Sequence, residues 1–183
     1  MISRFPIAVV ALAAALMVSF SGRAADLENT LYMDLKDGRV VIEMRPDLAP
    51  NHVRRIKELV REGFYDGLAF HRVIKGFMAQ TGDPRGDGTG GSGVKLKAEF
   101  SDERHVRGIV SMARADHPDS ADSQFFIVFA RASYLDGKYT VWGKVTDGML
   151  YVNRIKRGDR ARDGAVDNPD RIIRMQVAAD DKE

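Results

Sequence analysis

The sequence predicts an all-β domain, a barrel or sandwich with two helices plugging its open ends. Runs of strand character are short and separated by turn signals, and only two stretches carry helical spacing. No repeat, low-complexity tract or interior linker divides the chain. Closing such a sheet would leave no strand edge exposed.

Residues 1–24 read as a secretory leader. Arg4 and the free amine give a positive start, an unbroken apolar run of twelve residues spans 7–18, and Gly22 and Ala24 place small residues at the positions a signal peptidase needs for a cut after Ala24. Twelve residues are too few to cross a bilayer, where about 20 are needed. The domain is then 25–183, with no stable membrane insertion after cleavage.

Residues 30–36 and 39–45 alternate or run apolar around Asp37-Gly38, which predicts an antiparallel hairpin. After Pro46 and Pro50, Val53, Ile56, Leu59 and Val60 recur at helical spacing until Gly63. Strand-like runs follow at 70–74, 108–113, 125–129 and 140–145. A second helical spacing joins Met149, Val152 and Ile155 before Gly158, with Asp147 as its candidate cap. Residues 171–178 supply a closing strand.

The 183 residues hold 28 Lys+Arg against 26 Asp+Glu. Removing the leader takes away Arg4 and Arg23 and no acid, so the exported chain carries 26 of each. A neutral chain with interleaved charges gives no electrostatic footprint for nucleic acid. With no cysteine, disulfide scaffolds, thiolate metal sites and cysteine nucleophiles are excluded.

Gly86-Asp87-Gly88-Thr89-Gly90-Gly91 matches G-x-G-x-x-G, but more loop follows where a dinucleotide site needs a helix, and Asp83 and Asp87 would repel phosphate. The six glycines from Gly82 to Gly93 instead suit a tight surface loop beside a groove. His52, His71, His105 and His117 show no metal-ligand spacing, and no serine sits in a G-x-S-x-G elbow.

Three stretches carry more information. They are F-H-R-V-I-K-G-F-M-A-Q-T-G-D at 70–83, S-M-A-R-A with S-Q-F-F-I at 111–115 and 123–127, and L-D-G-K-Y-T-V-W-G-K-V at 135–145. In order and spacing they resemble the cyclophilin family of peptidyl-prolyl cis-trans isomerases, over about residues 29–178. The resemblance implies a closed eight-stranded antiparallel barrel capped by two α-helices. It also implies proline-containing polypeptides as substrates and no metal or cofactor, because rotation about an amide makes and breaks no bond. Arg72 stands at the position of the catalytic arginine, with Gln80 orienting it. Phe77, Met78, Phe126 and Leu135 stand where the proline pocket is lined. His71, Ala113, Arg114, Ala115, Gln124, Tyr134 and Tyr139 fall at the remaining substrate-contact positions.

The chain departs from the family at several of these. Tyr134 replaces the tryptophan of the well-known eukaryotic members, so the resemblance leaves cyclosporin sensitivity open. Tyr139 replaces a histidine and Arg114 an asparagine, which bears on the residues preferred beside the proline. Trp142 is expected in the core. The expected protein is a monomeric isomerase in the periplasm that assists the folding of exported proteins. Two rivals are a non-catalytic chaperone that holds proline-containing segments, and a carrier of a small apolar ligand, which such large interior side chains leave no room for.

Overall fold

The computed structural model describes residues 26–182; the leader expected over residues 1–24 and the cut expected after Ala24 lie outside them. Eight strands form one curled antiparallel sheet: β1 (Thr30–Leu35), β2 (Gly38–Met44), β3 (Arg72–Ile74), β4 (Met78–Thr81), β5 (Ile109–Met112), β6 (Phe125–Val128), β7 (Val141–Asp147) and β8 (Arg174–Val177). Their order is β3-β4-β6-β5-β7-β2-β1-β8. Two helices, α1 (Pro50–Arg61) and α2 (Met149–Val152), complete the fold.

The sheet is a half-barrel, not the closed barrel expected from the sequence. Its order ends at β3 and β8, which share no ladder. The reason lies in what occupies the free edge of β3. Val73 donates its N–H to Gly164 O at 2.8 Å and accepts from Gly158 N at 2.9 Å, and Val166 N donates to His71 O at 3.0 Å. Residues 158–166 therefore satisfy the edge that β8 would otherwise pair with. The chain leading into each edge strand then bridges the seam, through Phe70 N to Asp170 O and Ile172 N to Leu68 O, both 2.9 Å.

The first hairpin forms one residue early. Leu35 pairs with Gly38, so Lys36-Asp37 make the turn and Gly38 opens β2. A Cβ on Gly38 would lie 2.5 Å from the Tyr151 ring, which ties that position to glycine for packing as well as for its φ of 146°. Helix α1 buries Val53, Ile56, Leu59 and Val60 as their spacing predicts. Its N-cap, Ala49, has no side-chain acceptor. Glu99 supplies one from far along the chain, accepting from Asn51 N at 3.1 Å and His52 N at 3.0 Å, 48 and 47 residues away. Helix α2 is a single turn, and Gly148 rather than Asp147 is its N-cap. The Asp147 carboxylate accepts from Gly148 N at 2.7 Å, which fixes the bend at the end of β7. The strand-like runs miss β4, whose Met78 and Ala79 are both buried and break the alternation.

The pleat sorts the core into two bodies. Phe125 and Ile127 of β6 point into the larger one with Trp142 and α1, while Phe126 and Val128 point the other way with Met78, Leu135 and Val141. Trp142 is fully buried and meets the Phe125 ring edge-on at 5.3 Å between centroids. Among the described residues no helix is long and apolar enough to cross a membrane.

Candidate active site

The smaller apolar body floors a groove. Register sets its centre: Arg72 of β3 pairs with Gln80 of β4, and Gln80 pairs with Phe126 of β6, so three adjacent strands present these side chains in a row. The cavity above them holds about 810 Å³ and is lined by His71, Arg72, Phe77, Met78, Gln80, Ala113, Arg114, Phe126, Tyr134, Leu135 and Tyr139. The other two residues expected from the sequence, Ala115 and Gln124, line an adjoining depression of about 310 Å³ that shares Gln80, Ala113 and Arg114.

Met78, Phe126 and Leu135 form a dry floor, each at most 5% exposed. Tyr139 meets Phe126 edge-on at 5.9 Å, and Phe77 supports the exposed Tyr134 at 5.6 Å. Beside this floor the Arg72 guanidinium is fixed from two sides. Nη1 donates to Gln80 Oε1 at 3.1 Å. Nε donates to the Asp163 backbone oxygen and to its Oδ2, both at 3.0 Å, and Nη2 donates to Oδ1 at 3.1 Å. A guanidinium has five N–H groups, so among the described residues one remains free on each Nη.

The amides continue inward from Arg72. Gln80 Nε2 donates to Gln124 Oε1 at 2.9 Å, and Gln124 Nε2 donates to Gly88 O and Gly90 O at 3.0 and 2.8 Å. The glycine-rich loop thus orients the amide that orients Arg72. Its tightness requires glycine, since a Cβ on Gly90 would sit 2.0 Å from Asp83 Oδ1.

Asp163 escaped the sequence reading. It sits at φ 51° after the short turn Arg160–Arg162, and only the dipeptide Asp163-Gly164, which resembles a turn, marks it. Arg162, Lys138 and Val166 also line the groove without having been signalled.

One Ser-His-Asp row does assemble. His105 Nδ1 lies 3.2 Å from Asp136 Oδ1, and Nε2 lies 3.0 Å from Ser111 Oγ. Ser111 and His105 are both fully buried, so no substrate reaches the hydroxyl. The row joins β5 to the chain before it. Among the described residues no group of three His, Asp or Glu is placed to hold a metal.

Burial holds the imidazoles of His52, His71 and His105 below their ordinary range, so each takes up a proton less readily in the folded chain than in the unfolded one. The unfolded chain takes up their protons near pH 6.5. Their contribution to stability is complete above that pH and is lost as pH falls below it. The melting temperature should be flat from pH 8 to 7 and fall steadily from 6.5 to 5. The carboxylates of Glu99 and Asp83, held below their usual range, extend the loss at lower pH. Equal melting temperatures at pH 7.5 and 5.5 would contradict this.

A curled half-barrel of eight antiparallel strands with two helices, carrying a fixed guanidinium beside an apolar pit, is the architecture of cyclophilins as a class. The family model for cyclophilin type peptidyl-prolyl cis-trans isomerases matches residues 30–177. The chain belongs to this family and is a peptidyl-prolyl cis-trans isomerase. A probable peptidyl-prolyl cis-trans isomerase of Brucella suis is 55% identical over 190 residues, covering 94% of this chain and 97% of the relative. Peptidyl-prolyl cis-trans isomerase B of Bacillus subtilis is 45% identical over 134 residues, 72% of this chain and 93% of its own. Among solved structures, a cyclophilin from Hirschia baltica superposes with a TM-score of 0.76 at 27% identity, covering 86% of this chain and 76% of that one. A Cryptosporidium parvum cyclophilin, solved in the presence of the dipeptide Ala-Pro, gives 0.73 at 29% identity, covering 81% and 98%.

Proposed function

We propose that the protein is exported to the periplasm, where it acts as a monomer on proline-containing segments of folding proteins and uses Arg72 to rotate the X-Pro bond. The observation that carries the mechanism is the fixed guanidinium, held by Gln80 and Asp163 at the edge of the Met78, Phe126 and Leu135 floor. Amide resonance raises a barrier of about 18 to 20 kcal/mol to this rotation. As the amide twists, the proline nitrogen regains a lone pair and becomes a hydrogen-bond acceptor. The free Nη protons of Arg72 meet that acceptor only in the twisted state, so they bind the transition state better than either isomer.

Accelerating from tens of seconds to milliseconds takes about 10⁴-fold, or roughly 5.5 kcal/mol. One charge-assisted hydrogen bond gives about 1.5 to 3 kcal/mol. The remainder falls to the apolar floor, which grips the ring while the preceding carbonyl swings, and to the strength of the hydrogen bond in a dry site. The Ala-Pro dipeptide present with the Cryptosporidium parvum relative fits the same reading.

The leader supports export. The protein should be recovered from the periplasm with Ala25 as its first residue, and should isomerise an Ala-Pro peptide at a small fraction of the peptide's concentration. An uncut N-terminus would remove the export reading, and an effect seen only at stoichiometric protein would replace the isomerase mechanism with a holding role.

A further inference from the structure

The charged groups around the groove are largely paired among themselves. Arg72 is held by Asp163 at 3.0 Å, and Arg162 lies between Asp159 at 3.3 Å and Asp167 at 2.5 Å. In the adjoining depression Lys95 faces Asp122 at 3.6 Å. The Asp87 carboxylate accepts from Thr89 N and Oγ1 at 2.8 and 2.7 Å and lies in the field of Arg85. Burial holds the His71 imidazole below its ordinary range. Two cations are left, Arg114 and Lys138. Both line the groove, and neither forms an ion pair among the described residues.

Arg114 is held firmly without being neutralised. Nε and Nη2 donate to Lys138 O at 3.2 and 3.1 Å, and Nη1 donates to Ala115 O and Asp116 O at 2.8 and 2.9 Å. Its guanidinium carbon lies 4.6 Å from the centroid of the Tyr139 ring. Carbonyls and a ring face fix the side chain but carry no full negative charge, so its ordering cost is met before any ligand arrives. Because Arg114 lines both the main cavity and the adjoining depression, a chain running between them passes it. An extended residue advances at most about 3.3 to 3.6 Å, so the side chain that meets Arg114 lies close in sequence to the buried ring.

We propose that the Arg114 and Lys138 wall selects substrates bearing an acidic side chain within two residues of the proline. This rests on the proline-pocket reading above and names the substrate class within it. The exported chain has no net charge, so the preference is local to this wall and not a general attraction for acidic proteins.

The test measures kcat/KM by NMR exchange, which needs no coupling protease. Its peptides carry Glu, Gln or Lys at each of the two positions before and after the proline. At low salt the best Glu peptide should exceed its Gln counterpart by about threefold to tenfold, with Lys below Gln, as expected for partly exposed charge pairs. The Glu to Lys ratio should fall toward one at high salt and in the R114Q/K138Q double variant. Equal rates for Glu, Gln and Lys at all four positions would overturn the inference, as would a Glu preference undiminished in the double variant. The Gln peptides report the isomerase separately, so turnover of the Gln peptides by the unaltered protein with no charge preference overturns the inference alone, and no turnover of any peptide overturns the proline-pocket reading.

Discussion

Arg72→Ala should lower kcat/KM for a short Ala-Pro peptide by about ten- to hundredfold while leaving the circular dichroism spectrum unchanged. The size follows from losing one fixed, charge-assisted donor worth about 1.5 to 3 kcal/mol in the transition state. Survival of the fold follows from where its partners sit. Asp163 has a side chain 78% exposed, so the freed carboxylate hydrates, and Gln80 keeps its bond to Gln124. Stability should move by about 1 kcal/mol or less, as for other partly exposed ion pairs. Arg72→Lys restores a charge but not the fork that Asp163 and Gln80 hold, and should recover little of the rate. Turnover by Arg72→Ala within twofold of the unaltered protein would remove Arg72 from the mechanism.

The place of Arg72 in the groove was legible because its signal is local. Phe70 to Asp83 form one continuous stretch, and strand alternation already separates Arg72 and Ile74 from Val73, as the burial of β3 bears out. The helix α1 face and the Trp142 core position were legible for the same reason, since period and apolarity act over a few residues. Asp163 and the open seam were not. Each depends on the return of residues 158–166 to the edge of β3, a contact between segments 91 residues apart in the case of Arg72 and Asp163. Nothing in a loop of mixed charge states which distant strand it will pair with. The Glu99 cap on α1 was hidden in the same way, because its partner lies across the fold and not three residues downstream. Arg114 is an intermediate case. Its change of residue type was visible, but only the structure brings it beside Lys138 and leaves both without a carboxylate.

Phe126→Ala and Phe125→Ala should cost similar stability and very different activity. The two rings are neighbours on β6, almost fully buried, and the pleat turns them to opposite faces. Phe125 lies edge-on to Trp142 and Tyr65 in the larger core, at 5.3 and 5.5 Å. Phe126 faces Tyr139 and stacks on His105 at 6.3 Å beneath the groove. Truncating a buried phenylalanine costs about 3 to 5 kcal/mol in either place. A domain of this kind holds about 5 to 15 kcal/mol in reserve, so both variants should still be folded in the cold. Only Phe126→Ala also removes the floor the proline ring would rest on and admits water beside Arg72, which weakens the hydrogen bond there. Its kcat/KM should fall by about tenfold or more, against less than about threefold for Phe125→Ala, since one ring contact is worth about 0.5 to 1.5 kcal/mol beyond the apolar area it buries. Denaturant titration beside an isomerisation assay separates the two effects. Equal activity losses in the two variants would mean that the ring serves stability alone and that the floor of the pocket lies elsewhere.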